Sequence, residues 1–312
     1  MHGVSPNPRP HFWISDNNAG RSTLYNVASS SPLVVSKNSL EVSIPTPGDL
    51  SGASGAPTGA VFNTTANLPA NQQGFKITGF AQPGCTSPNT QATARFLFAT
   101  EDGTIVGWAP NLYPTKALCQ AGGTSKHGII AVDNSDNGSP NGAVYKGLAI
   151  ATTEAGATFL YATNFRAGRV EIYGSNFELV HTFTDPDLKE DGYAPFNVVP
   201  IRLPGEDEDT LFVTFALQNA MKHDDVAGPG HGFVDTFNLA GLNRDRFASR
   251  GPLNSPWGVA LAPADFGRFS GKLLIGNFGN GRIHAFDPED GEFIGTVRKA
   301  DEEPIVIDGS GV

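Results

Sequence analysis

The 312-residue sequence is poor in charge, in cysteine and in long apolar runs, and each shortage closes off a class of protein. Only 17% of the residues are charged, and 21 Lys and Arg, scattered singly, face 31 Asp and Glu. A formal net charge of −10 without a basic cluster argues against a nucleic-acid or anionic-membrane surface, which needs concentrated positive charge. The apolar runs (FLFAT, FLYAT, LFVTF, LLIGN) are short, and none nears the roughly 20 residues of a membrane span. Two cysteines, Cys85 and Cys119, cannot make a zinc site without His, and neither has CxxC spacing. They are either one disulfide or two small buried residues. G-x-S-x-G, H-E-x-x-H, G-x-x-x-x-G-K-[ST] and dinucleotide fingerprints are all missing, so no familiar catalytic motif is written in the chain. The opening MHGVSPNPRPHFW has no basic region followed by an apolar stretch, so no signal peptide is expected within this chain.

What the chain does have is turns and repetition. With Gly 37, Pro 23 and only short apolar runs, the expected class is all-β. Five segments share one plan: HFWISDNNAGRSTLYN (11–26), RFLFATEDGTIVGWAP (95–110), FLYATNFRAGRVEIYG (159–174), LFVTFALQ leading to GFVDTFNLAG (211–241), and LLIGNFGNGRIHAFDP (273–288). Each reads as a strand, a turn carrying a Gly at positive φ, and a second strand. A short apolar strand with a small residue precedes each (HGVSP, PTGAVFN, YKGLAIA, APFNVVP, PWGVALAP), where a Gly permits close backbone approach. A fourth run follows the hairpin, as in LVVSKNSLEVSIP, LVHTFTDP and FIGTVRK. Four strands per unit at a long, regular interval are the pattern of β-propeller blades, here about 1–55, 56–143, 144–193, 194–254 and 255–307, with a sixth beginning at 308–312.

PWGVALAP followed by LLIGNFGNGRIHAFD looks like an NHL-type blade. Together with FWISDNNAGRSTLYN, AVYKGLAIA, GYAPFNV and KHDDVAGPGHGFVD, it makes nearly the whole chain resemble an uncharacterised family of extracellular six-bladed propellers. The resemblance implies a six-bladed type whose last blade is incomplete in this chain, with closure by five blades as the alternative. It also implies an extracellular or periplasmic location, but carries no activity.

In such blades the turn between strands two and three opens on the face where propeller ligands lie. Asp16, Glu101, Asn164 and Asn277 are therefore expected to form a polar ring, with Phe215 at the fourth position. An Asp or Asn closing a tight turn, with an Arg pairing to the adjacent blade, explains the recurrence without a ligand. The departures from the repeat are sharper candidates. QNAMKHDDVAGPGHG (218–232) replaces the tight turn in the fourth blade and concentrates His223, Asp224, Asp225 and His231, which have the chemistry of a divalent-metal site or of an acid and a base. DNSDNG (133–138) matches the first half of a calcium loop through Asp133, Ser135 and Asn137, but position twelve is Val144 where a Glu is needed. In TDPDLKEDGYAPFN (184–197), Asp185, Tyr193 and Asn197 are expected to face the channel, with Tyr193 and Phe196 packing. Cys85 and Cys119 fall on the opposite face, across two insertions, where a stapling disulfide would suit an extracellular protein.

The function expected is binding at the channel mouth, of a glycan, cell-wall material or a protein. The alternative is a lactonase-like hydrolase with a divalent cation, calcium, held by the ring residues.

Overall fold

The computed structural model describes residues 11–30, 33–50, 52–82, 85–86, 88–136 and 141–307. Its strands are β1 (His11–Asp16), β2 (Arg21–Ser30), β3 (Leu33–Ser43), β4 (Pro57–Phe62), β5 (Lys76–Gly79), β6 (Thr90–Thr93), β7 (Phe96–Thr100), β8 (Thr104–Trp108) and β9 (Ile129–Asp133). They continue as β10 (Tyr145–Thr152), β11 (Thr158–Asn164), β12 (Arg169–Tyr173), β13 (Leu179–Phe183), β14 (Tyr193–Ile201), β15 (Thr210–Leu217) and β16 (Phe233–Phe237). The last are β17 (Asp245–Ser249), β18 (Pro256–Leu261), β19 (Leu273–Asn277), β20 (Ile283–Phe286) and β21 (Phe293–Thr296). Two short helices interrupt them, α1 (Lys116–Ala121) and α2 (Pro186–Glu190).

The strands form sheets of order β1-β2-β3, β4-β7-β8-β9, β10-β11-β12-β13, β14-β15-β16-β17 and β18-β19-β20-β21, with a side hairpin β5-β6. These are five blade sheets, four of them four-stranded, and the fold class is an all-β propeller. Each expected hairpin is present in its expected place. The expected inner strand of the first blade (2–6) and the start of a sixth (308–312) lie outside the described residues.

The chain divides into two compact units. One holds the described residues up to Ile150 with Thr158–Ala162 and Ile172–Val180; the other holds Ala151–Ala157, Thr163–Glu171 and the described residues from His181 onward. In the first unit, β7 and β8 are buried at every position, which is why FLFAT and TIVGW read as continuous apolar runs and not as alternations. Leu97, Ala99, Ile105, Tyr145 and Leu160 make one core cluster there. Trp13, Phe96, Phe98 and Trp108 make another, with Trp13 stacked on Phe96 at 3.9 Å between centroids. The second unit is built on Val199, Phe212, Val234, Val259, Ile275 and Phe286.

The turn glycines of the repeat sit where expected, with φ of +60° at Gly20, +62° at Gly168 and +66° at Gly281. At Gly20 space adds to conformation, because a Cβ would lie 1.9 Å from the Ala53 carbonyl oxygen. Gly20→Ala is therefore expected to destabilise the first unit by about 1–3 kcal/mol, from left-handed backbone and forced displacement of residue 53. The measurement is chemical denaturation followed through the buried Trp13 and Trp108. Close backbone approach by inner-strand glycine holds at Gly59, whose Cβ would meet Leu148 N at 2.4 Å, but not at Gly258, which has open space.

Candidate binding face

The hairpin turn of the third blade shows what the motif does. Asn164 Oδ1 accepts from Ala167 N at 3.1 Å, closing the turn, while its Nδ2 donates to Glu171 Oε1 at 3.0 Å. Arg169 donates to the same Glu171 oxygen through Nε at 3.0 Å and Nη2 at 2.7 Å. In the first blade Asp16 accepts from Thr23 Oγ1 at 2.7 Å, and Arg21 pairs with Glu41 Oε2 at 2.7 Å. These motif arginines thus serve their own blade, contrary to the expected pairing with a neighbour, because the acceptor stands in the same sheet within reach of the turn. Glu101, the second-blade equivalent, is paired with Lys146 Nζ at 2.5 Å.

Asn277 uses the same motif position differently. Its Oδ1 accepts from Asn254 N at 3.1 Å and its Nδ2 donates to the Pro252 carbonyl at 2.8 Å, so it ties the β19–β20 turn to the connection before β18. Phe215, in the fourth blade, is fully buried.

The long loop 218–232 is a folded flap. A tight turn closes it at Lys222, held at φ +52°, with Lys222 N donating to Asn219 O at 2.9 Å and Asn219 N to Asp224 O at 2.8 Å. Its far limb is fastened to the 250–256 segment: Gly228 N donates to Asn254 Oδ1 at 2.7 Å, and Gly230 N to Leu253 O at 2.9 Å. His223 Nδ1 lies 3.0 Å from Asp224 Oδ1 at the surface, Asp225 bridges to Gln218, and His231 Nδ1 is bonded to the Val226 carbonyl at 2.9 Å. A carbonyl only accepts, so the proton of a neutral His231 sits on Nδ1. Among the described residues no three His, Cys, Asp or Glu side chains gather as a metal-binding group.

The half calcium loop is engaged in its own turn: Asp133 Oδ1 accepts from Ser135 N at 3.0 Å and from Ser135 Oγ at 2.6 Å. Asn137 lies outside the described residues. Cys85 and Cys119 form a disulfide with Cα atoms 5.9 Å apart. Asp185 is fully buried, caps α2 through Asp187 N at 2.9 Å and Leu188 N at 3.2 Å, and takes Arg244 Nη1 at 2.7 Å and Arg246 Nη2 at 2.5 Å. A Pro at the first helical position, following Asp, is the sequence signal of that cap.

The second unit also presents an aromatic patch at the turn ends of its blades that residue chemistry alone did not single out. Phe165 and Phe278 each follow the motif Asn; Phe165 is buried, and Phe278 stays 38% exposed. Phe196 lies between them, 5.3 Å from the Phe165 ring and 5.7 Å, edge-on, from that of Phe278. The half-buried Trp257 packs on the same group, held by Asn197 Nδ2 donating to its carbonyl at 2.8 Å. Gln218 Nε2 joins the flap to this patch through the Phe165 carbonyl at 2.6 Å. The recurring Asn-Phe pair in two repeats was the available signal.

No family model matches the chain. It is similar to three uncharacterised proteins of Acanthamoeba polyphaga mimivirus. One is 28% identical over 259 residues (81% of this chain, 55% of that protein), another 30% over 267 (84% and 64%), a third 29% over 224 (70% and 37%). The chain thus spans under two thirds of the length of each. Among solved structures, a catalytically inactive virginiamycin B lyase from Staphylococcus aureus with quinupristin aligns at TM-score 0.46 and 12% identity, over 94% of this chain and 67% of that one. The Dos1 propeller aligns at 0.42 and 9%, over 92% and 62%. Likenesses this distant carry no functional argument, and it is by its own sheets that the chain is an all-β propeller with four-stranded blades.

Proposed function

We propose that the protein is an extracellular carbohydrate-binding propeller that acts by recognition and not by catalysis. The observation that carries this reading is the patch of Phe196, Trp257 and Phe278, with Phe278 38% exposed beside a flap rich in polar side chains. An exposed ring offers a flat apolar face to a sugar ring, and His223 and Asp224 at the flap surface offer partners for hydroxyls. The disulfide supports an oxidising location. The hydrolase reading is not adopted, because both ends of the carboxamide are spent within the chain, on its own blade at Asn164 and on the connection before β18 at Asn277, and Glu101 is paired with Lys146.

The test is retention of the full chain on a glycan array, repeated with Phe278→Ala. Retention of at least one glycan class, weakened about tenfold by the substitution as an aromatic contact is lost, is the expected result. If no glycan is retained, or Phe278→Ala binds as well as the parent, the reading is wrong. Trp257 gives an independent signal, since Trp13 and Trp108 are only 7% and 5% exposed.

A further inference from the structure

The first unit contains a cavity of about 540 Å³ whose lining includes none of the ring positions and no residue of the flap. Its size falls within the roughly 300–1,000 Å³ of small-molecule sites. One wall is Ser39 and Leu40 of β3; the others come from the insertion between β8 and β9, with Tyr113, Leu118, Lys126 and His127.

This wall is built and braced. Thr115 Oγ1 caps α1 by accepting from Leu118 N at 3.3 Å, and Cys119 within α1 is bonded to Cys85. The Tyr113 hydroxyl donates to the Gly123 carbonyl, and Gln82 Nε2 to that of Cys119. The 126–128 segment clasps the end of β3, with Ser43 N donating to Lys126 O at 2.8 Å and Gly128 N to Ser43 O at 2.9 Å. Both sides of the cavity are therefore held by covalent or backbone bonds.

Its chemistry is one-sided. In a chain of formal charge −10, the lining has Lys126 and no carboxylate. His127 lines the cavity, and its Nδ1 is buried with no hydrogen-bond partner among the described residues, a state that costs about 1–3 kcal/mol. Burial holds the imidazole below the usual His range, so at neutral pH it is uncharged and can present an N–H. Leu40, Tyr113 and Leu118 give the wall its apolar and aromatic surface, and Ser39 and Thr124 add only uncharged hydroxyls.

We infer that this cavity binds a small amphipathic organic anion, an aryl or short alkyl monocarboxylate, with its carboxylate between Lys126 and His127 and its apolar body against Leu40, Tyr113 and Leu118. A charge-assisted bond to the ammonium and an N–H from the imidazole satisfy the anion, while the apolar body removes the wall from water.

The probe is 4-phenylbutyrate, compared with 4-phenylbutyramide, titrated into the full chain and read by thermal shift and calorimetry. The acid is expected to bind at least about tenfold tighter than the amide, the two converging to within about twofold in Lys126→Gln. His127→Phe, which keeps the bulk and removes the nitrogen, is expected to weaken the acid several-fold. Ser39→Trp, at an exposed position on the rim, is expected to abolish binding of both with the fold retained. Equal affinity for acid and amide, binding that survives Ser39→Trp, or no saturable shift by either compound up to about 10 mM would each overturn the inference.

Discussion

Replacing Arg246 with Ala is expected to cost about 3–5 kcal/mol and to unfold the second unit well before the first, because it strands two buried carboxylates. Asp185 and Asp235 are both fully buried, and Arg246 serves both, through Nη2 to Asp185 Oδ2 at 2.5 Å and through Nε to Asp235 Oδ1. Arg244 adds a second cation to Asp185 at 2.7 Å and reaches the exposed Asp187 at 3.7 Å. Two acids against these guanidiniums cannot both be charged cheaply at this depth. Burial first, then the neighbouring Asp185 carboxyl, pushes Asp235 up to about 7, against the opposing pull of Arg246. Burial alone would raise Asp185 as well, but its bonds with Asp235, Leu188 N and Arg246 outweigh that and hold it below the ordinary range.

The direction of the pH dependence follows. Asp235 in the folded chain keeps its proton between about pH 4 and 7, where the unfolded chain has lost it, so its contribution is complete below pH 4 and disappears as pH rises through about 7. Asp185 has the opposite sign, its contribution being lost only as pH falls through its lowered value, so between pH 4 and 7 the slope belongs to Asp235. Asp235→Asn, an uncharged side chain of the same shape, is expected to flatten that slope by an amount on the order of a few kcal/mol across the window, whereas Arg246→Ala destabilises at every pH. Denaturation at a series of pH values, followed through Trp257, checks both. A parent protein equally stable at pH 5 and pH 8 would remove the assignment.

The repeat was legible because its cause is local. A Gly at φ near +60° after a short apolar strand is written directly in DNNAGR, NFRAGR and NFGNGR, and those positions carry the turns. What was not legible depends on residues distant in sequence. Asn164 and Asn277 occupy one motif position, yet one closes its own turn and the other reaches back to Pro252 and Asn254, according to what packs alongside. Phe165 and Phe278 likewise share a position but differ in exposure. The ion pairs of Asp185 were not legible because Arg244 and Arg246, which neutralise it, lie some sixty residues on. Loop 218–232 stood out for its His and Asp, but its fastening is decided by Gly228 N meeting Asn254 Oδ1 and by Gly232 lying against Leu253 and Pro256, which no local pattern records. The cavity wall depends on a helix, α1, and on a β3 contact, Ser43 with His127, that join parts of the chain with no shared motif.

Loss of the Cys85–Cys119 bond is expected to lower the stability of the first unit by roughly 3–4 kcal/mol, the loop-closure value for a cross-link of sequence separation 34. The effect should be concentrated there for a structural reason. The bond joins the segment after β5 to α1, and both half-cystines are buried with Tyr113 in a small cluster flanked by Phe80 and Leu118. Without it, two insertions that contribute little to the blade hairpins are held by the Phe80–Tyr113 bridge, the α1 cap and a few side-chain bonds. The paired double substitution Cys85→Ala with Cys119→Ala separates the cross-link from exposed-thiol chemistry, and the same drop is expected on adding reductant to the parent protein. Emission from Trp13 and Trp108 reports the first unit and Trp257 the second, so the two transitions are resolvable in one melt. Because α1 and the turn after it form a cavity wall, the reduced protein is also expected to lose the affinity for phenylbutyrate before it loses its blade sheets. Loss of both at one midpoint would mean that the disulfide supports the whole first unit and not the insertion alone.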